Sequence, residues 1–213
     1  MKAAAAAISG LYAVTPDLAD TALLLRRVEA ALSGGVRLLQ YRNKTADATL
    51  RLAQARALKA LCGRYGAKLI VNDHVDIAQA ADADGVHVGR EDAAARTARA
   101  ALGKGRIVGV SCYNELGQAL AAVADGADYV AFGTFFPSSV KPDAVHAPLE
   151  LLPLAKRRLS VPVVAIGGIT LDNAPVLIGA GVDSLAVISA LFGAEDVAAA
   201  ARAFCQLFTG EKP

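Results

Sequence analysis

No run of apolar residues in this 213-residue chain reaches the roughly 18 positions that a membrane-spanning helix requires, so the positive mean hydropathy of +0.40 is read as alanine and valine bound for a soluble core. The chain has no block of Lys or Arg either. A net charge of +2 spread over mixed signs gives no footprint for a nucleic-acid backbone. Cysteine is scarce, and Cys62, Cys112 and Cys205 form no C-x-x-C pair, which fits a reducing cytoplasm better than a disulfide framework. Residues 1–15 resemble a weak secretory signal, with one Lys and an alanine run. Their apolar part is short and passes straight into the strand-like segment 11–14, so a cytoplasmic location is expected. Against these absences stand 54% hydrophobic and 20% charged residues, which exclude disorder and supply one large core.

One unit recurs along the chain. Strand-like runs fall at 10–14, 37–41, 68–71, 85–88, 107–110, 129–132, 163–166 and 184–187. Helical patterns occupy 20–31, 47–61, 75–81, 92–101, 115–124, 149–158, 171–178 and 194–207 between and after them. Glycines at 34–35, 66, 103, 105, 126, 179 and 181 mark the helix-to-strand returns, and DADGVHV, ADGADYVAF and GAGVDSLAV echo one return sequence. Eight near-continuous apolar strands alternating with helices predict a single α/β domain over 1–213, a closed (β/α)8 TIM barrel. An open doubly wound sheet is the alternative.

Barrel chemistry belongs to the loops after the strands. In the second strand, period-2 alternation turns Gln40, Arg42 and Lys44 to one side and Leu39 and Tyr41 to the other, giving a cationic stripe suited to a polyphosphate; solvated rim residues are the bland alternative. The third and fourth strands deliver Asn72-Asp73 and Glu91-Asp92. Oxygen donors without a Cys/His cluster select Mg²⁺, with Asp73 and Asp92 as metal ligands, although each also reads as a helix N-cap. His87, between Val86 and Val88, reads as a satisfied core histidine before a catalytic one. Ser111 ends the fifth strand with no base evident in sequence, so it is expected to donate to phosphate, and Cys112 to pack. The longest connection, 133–148, carries Ser138, Ser139 and Lys141 and is expected to act as a lid or binding loop. Gly167-Gly168 and Ile188-Ser189, after the last two strands, are the expected phosphate cup.

Two anion sites on one rim imply two phosphorylated small-molecule substrates, and the strings that form them resemble a known family. QYRNK, IVND, DGVHVGRED, GVSCYN, GTFFPSSVK, VAIGGIT and AVISA, in this order, are similar to the signature segments of the thiamine-phosphate synthase family. The resemblance implies a Mg²⁺-dependent transferase that couples 4-amino-2-methyl-5-hydroxymethylpyrimidine diphosphate to 4-methyl-5-(2-phosphoethyl)thiazole, releasing pyrophosphate. It implies that Arg42, Lys44, Asn72, Ser111 and Lys141 hold the pyrophosphate, Asp73 and Asp92 the metal, and Gln40 the pyrimidine. Gly168, Ile188 and Ser189 would seat the thiazole phosphate, Ser138 would contact substrate from the loop, and a homodimer is expected, with no nucleic-acid or membrane partner. Departures are Val140 and Ser138-Ser139 where the family has Thr-x-Thr, His146 for a common Arg, and Arg90 for a Gln. They bear on loop contacts and affinity rather than on reaction class. Two other readings are a thiazole tautomerase-like paralogue, using the cup without metal, and a non-catalytic sensor of phosphorylated ligands.

Overall fold

The computed structural model describes residues 8–89, 95–137 and 145–209. Its eight strands are β1 (Gly10–Val14), β2 (Leu38–Tyr41), β3 (Lys68–Asn72), β4 (Gly85–Val88), β5 (Ile107–Ser111), β6 (Tyr129–Phe132), β7 (Val163–Ile166) and β8 (Ser184–Val187). Every neighbouring pair is parallel, and β8 pairs with β1, so the sheet closes into the expected barrel. The expected strand ends move by one residue at most: β2 starts at Leu38, while β3 and β5 extend to Asn72 and Ser111.

Around it lie α1 (Thr21–Ser33), α2 (Ala48–Arg64), α3 (Val75–Ala80), α4 (Ala95–Leu102), α5 (Leu116–Ala124), α6 (Leu151–Arg158), α7 (Ala174–Gly179), α8 (Ser189–Phe192) and α9 (Val197–Thr209). Asp20 and Asp47 are caps rather than first helical residues: their carboxylates accept from Leu23 N–H at 3.0 Å and Leu50 N–H at 2.8 Å, satisfying donors that a helix start leaves free. α1 buries Leu24, Val28, Ala31 and Leu32, an i, i+4, i+7, i+8 stripe. α7 starts three residues later than its pattern predicted because Asn173 folds the preceding turn, accepting from Thr170 N–H and donating to the Gly168 carbonyl, with Pro175 in the first helical turn. α8 was not expected, since four residues carry no periodicity to detect. Among the described residues no helix is long and apolar enough to cross a membrane.

Alternation divides the core in two. Tyr12, Val14, Leu38, Ile70, Tyr129 and Ala186 point into the barrel, while Leu11, Leu39, Tyr41, Val86, Val130 and Phe132 pack outward beneath the helices. The three echoed return sequences have a shared purpose at the barrel floor. Asp84, Asp128 and Asp183 each stand just before an even-numbered strand and accept the N–H of a residue at the start of the strand before it: Leu69 at 3.0 Å, Val108 at 2.9 Å and Val163 at 2.7 Å. Each carboxylate is also paired to cations: Lys59 and Lys68 on Asp84, Arg99 on Asp128, Lys156 on Asp183. Burial works against the charge of Asp84, but Lys59, the Leu69 N–H and Lys68 outweigh it and hold its carboxyl below the usual value.

Candidate active site

A cavity of about 470 Å³ opens at the C-terminal ends of the strands. Gln40, Arg42 and Lys44 line it from β2 and the turn beyond, as the alternation requires. The intervening residues build the back of the same turn. Tyr41 donates its phenol to Gln54 Oε1 at 2.7 Å, and Asn43 donates to the Leu18 carbonyl while accepting from Thr45 and Ala46 N–H groups. The front is held from the loop after β1. Thr15 Oγ1 accepts from Arg42 N–H and donates to Arg42 C=O, both at 2.9 Å. Asp17 accepts from Arg42 Nη1 on both carboxylate oxygens at 3.1 Å and from the Lys44 backbone N–H at 2.7 Å. Arg42 is thereby kept 12% exposed, in a fixed pose, while Lys44 reaches out at 53%. Thr15 and Asp17 were not singled out in the sequence, because nothing there says that the first loop crosses to the second strand.

β3 and β4 bring the acidic side. Asp73 sits in the left-handed region at φ 65°, its N–H donating to the His87 carbonyl at 2.8 Å. Its Oδ2 accepts from Asn72 Nδ2 at 2.5 Å and lies 3.8 Å from Lys44 Nζ. The residue in the cap position of α3 is His74, which makes no side-chain cap bond. Asp73 thus turns an oxygen toward the cationic mouth, a donor that suits a hard cation shared with a polyphosphate. Among the described residues no group of three or more His, Cys, Asp or Glu comes together. Asp92, the expected second ligand, lies outside the described residues, as do Arg90, Ser138, Ser139, Val140 and Lys141.

β5 contributes Ser111, and here the structure adds what the sequence did not offer. His87 Nε2 lies 2.8 Å from Ser111 Oγ, and His87 Nδ1 lies 2.8 Å from Tyr129 Oη. Tyr129 Oη meets Tyr12 Oη at 2.8 Å, and Gln40 Nε2 donates to Tyr12 Oη at 2.9 Å. His87 is buried, as a core histidine would be, yet it lines the cavity. Its far nitrogen meets the Tyr129 phenol rather than the carboxylate that completes a serine–histidine–aspartate arrangement. Burial pushes both phenols up, Tyr129 well above its ordinary value, so both stay protonated. Cys112 is buried and its thiol is pushed up to about 12 by burial with Glu115 nearby, which matches the packing role expected of it.

The third side is made by the ends of β6, β7 and β8. The described ends of the long loop clasp each other, Thr134 N–H to Val145 C=O at 3.0 Å and Ala147 N–H to Thr134 C=O at 2.8 Å. Phe136 N–H then reaches the Gly167 carbonyl at 3.1 Å. A Cβ on Gly168, at φ 63°, would stand 2.3 Å from the Pro137 carbonyl oxygen and 2.6 Å from that of Phe136. Gly168 is therefore needed for the approach of another loop, beside any approach of phosphate. Ile188 and Ser189 line the cavity at the start of α8. The structure thus brings Gln40, Arg42, Lys44, Asn72, Asp73 and Ser111 to one side of a single cavity and Gly168, Ile188 and Ser189 to another.

Comparisons with known proteins identify the family. A family model described as thiamine monophosphate synthase matches residues 11–191. The thiamine-phosphate synthase of Aromatoleum aromaticum is 57% identical over 201 residues, covering 94% of this chain and 97% of its own. That of Nitrosomonas eutropha is 52% identical over 201 residues, covering 94% and 95%. Among solved structures, the thiamine phosphate pyrophosphorylase from Pyrococcus furiosus superposes with a TM-score of 0.85 at 38% identity, covering 94% of this chain and 96% of the other. On a match that runs from the first strand to the helix beyond the last, the chain belongs to the thiamine monophosphate synthase family.

Proposed function

We propose that this chain is a single-domain, Mg²⁺-dependent thiamine-phosphate synthase, joining 4-amino-2-methyl-5-hydroxymethylpyrimidine diphosphate to 4-methyl-5-(2-phosphoethyl)thiazole with release of pyrophosphate. The observation that carries this reading is one cavity lined on one side by Arg42 and Lys44 after β2, with Asn72 and Asp73 after β3, and on another by the glycine turn after β7 and the start of α8, a lining suited to two anionic groups. A substrate ending in a diphosphate and one ending in a monophosphate fill it together, with their reacting carbon and nitrogen between.

The reaction is a dissociative substitution. The bond between the pyrimidine methylene carbon and the diphosphate oxygen breaks, its electron pair leaves with pyrophosphate, and the thiazole nitrogen lone pair closes on the resulting carbocation. Arg42 and Lys44 stabilise the departing charge, and Asn72 and Ser111 supply neutral donors to it. Gln40 orients the pyrimidine, Gly168, Ile188 and Ser189 seat the thiazole phosphate, and Ser138 and Lys141 act from the loop. Bound Mg²⁺, held by Asp73 and Asp92, would neutralise further charge on the leaving group. No protein nucleophile is required.

The deciding measurement is a pyrophosphate-release assay with each substrate alone and both together. Release is expected only with both substrates and Mg²⁺, and Lys141→Ala is expected to lower kcat at least about hundredfold, the size seen when a preorganised charge is removed. Replacing Asp73 and Asp92 together by Ala is expected to abolish Mg²⁺-dependent pyrophosphate binding in calorimetry as well as turnover; wild-type turnover in that variant would sink the metal assignment. Tautomerisation of a thiazole carboxylate phosphate, without need of the pyrimidine or of metal, would instead favour the metal-free paralogue.

A further inference from the structure

The barrel interior holds a continuous hydrogen-bonded series, Gln40–Tyr12–Tyr129–His87–Ser111, with links of 2.9, 2.8, 2.8 and 2.8 Å. It crosses the floor of the cavity from β2 to β5 through residues that the proposed reaction leaves without a part. Tyr12 is 1% and Tyr129 0% exposed, so water does not share their hydroxyls. The rings are fixed as well. Tyr12 meets Tyr129 edge-on, with centroids 6.0 Å apart, and His87 stacks on Tyr129 at 5.5 Å. Gly109 leaves the room: a Cβ there would fall 2.0 Å from the Tyr129 ring.

A neutral phenol has one proton to give, and in a series of this kind each member that accepts from one side donates to the other. With His87 as the neutral imidazole, two directions are self-consistent. In the first, Gln40 Nε2 donates to Tyr12, Tyr12 to Tyr129, and Tyr129 to His87 Nδ1. The imidazole then carries its proton on Nε2 and donates to Ser111 Oγ, leaving the Ser111 proton for the cavity and Gln40 Oε1 as an acceptor. In the second every bond reverses. The Gln40 amide turns its NH₂ outward, His87 is protonated on Nδ1, and Ser111 gives its proton to His87 and faces the cavity as an acceptor. What the cavity shows at Gln40 is tied to what it shows at Ser111.

We propose that Tyr12, Tyr129 and His87 are specificity-determining positioning residues, whose relay couples the polarity of Gln40 to that of Ser111. The site is thereby made to select a ligand that brings an N–H donor to the one and an anion to the other. The proposal rests on the reading of the cavity as a pyrimidine diphosphate site. A 4-aminopyrimidine donates to Gln40 Oε1, which sets the first direction and turns the Ser111 proton to the diphosphate. A 4-oxopyrimidine calls for the Gln40 NH₂, which sets the second and turns a lone pair of Ser111 on the diphosphate oxygens. Discrimination between amino and oxo is thus exerted partly at Ser111, on the other side of the cavity.

The test is calorimetry with 4-amino and 4-oxo analogues that carry an inert methylene-bridged diphosphonate, titrated into the wild type, Tyr129→Phe and Ser111→Ala. The wild type is expected to prefer the amino analogue on the order of a hundredfold. That ratio is expected to fall at least about tenfold in each variant, because both analogues then meet a Gln40 free to turn. A lost anion contact alone would weaken both analogues equally and leave the ratio intact; an unchanged ratio in both variants overturns the relay. Should Tyr129→Phe not fold, Ser111→Ala and ¹⁵N resonances of His87 in the wild-type complex decide: the amino complex is expected to show the Nε2–H tautomer, and Nδ1–H overturns the proposal. A wild type that binds neither analogue overturns the pyrimidine reading itself, a failure distinct from that of the relay.

Discussion

At the scale of single residues, the site depends on groups that touch no substrate. Asp17 holds the Arg42 guanidinium and the Lys44 backbone together at the mouth. Asp17→Ala is expected to raise KM for the diphosphate substrate about tenfold with a smaller change in kcat, since the cations remain but lose their pose; steady-state kinetics with the thiazole saturating checks it. Gly168→Ala places a methyl against two backbone carbonyls and holds it at positive φ. It is expected to cost about 2 kcal/mol in urea unfolding and to displace the loop base that the Phe136 carbonyl belongs to. Gly109→Ala meets an aromatic ring rather than backbone, so it is expected to push Tyr129 aside, costing about 1–3 kcal/mol of stability. The strand-end residues Gln40, Arg42, Asp73 and Ser111 could be named from alternation and spacing. Thr15, Asp17 and Tyr12 could not be tied to them, because their partners lie on other strands and loops, 25, 27 or 28 residues away in sequence. An inward phenol at Tyr12 and another at Tyr129, on strands whose other residues carry no polar side chain, were the signal in the sequence.

At the scale of elements, the eight strands were legible because parallel barrel strands are apolar on both faces, and α8 was not because four residues carry no period. The returns were legible as echoes of one phrase, but the reason for their aspartates appears only when strands are side by side. A carboxylate there closes the N-terminal end of the strand before it. Since the Asp84 carboxyl is held below its ordinary value, its contribution is fully present above the normal carboxylate range and is lost as pH falls through the folded-state value. Asp84→Asn is expected to flatten the acid side of the stability profile, read as urea midpoint against pH, and to lower stability at neutral pH by about 1–2 kcal/mol. Where the returns before β2, β3, β5, β6 and β8 have a glycine at positive φ, the one before β4 has Asp82 at φ 52°, bridged to Arg106 at 2.5 Å. That ion pair helps a non-glycine residue hold a conformation it otherwise disfavours.

At the scale of the whole molecule, the clasp by Asp84, Asp128 and Asp183 joins β3 to β4, β5 to β6 and β7 to β8, so three of the four strand pairs are locked by the same device. The pair β1–β2 is different. The residue before β2 is Arg37, whose guanidinium turns to the carbonyls of Leu32 and Val36. A ring with three pairs clasped at the floor by an aspartate, and one held instead at the mouth by Thr15 and Asp17, has its weakest floor joint at the first pair in the chain. Native-state hydrogen exchange is expected to release the amides of β1 and β2 at lower opening free energy than those of the six clasped strands. The barrel would then open as a hoop opens at its seam, with Gln40 and Arg42 leaving the mouth first and Ser111 and Gly168 staying with the body that remains.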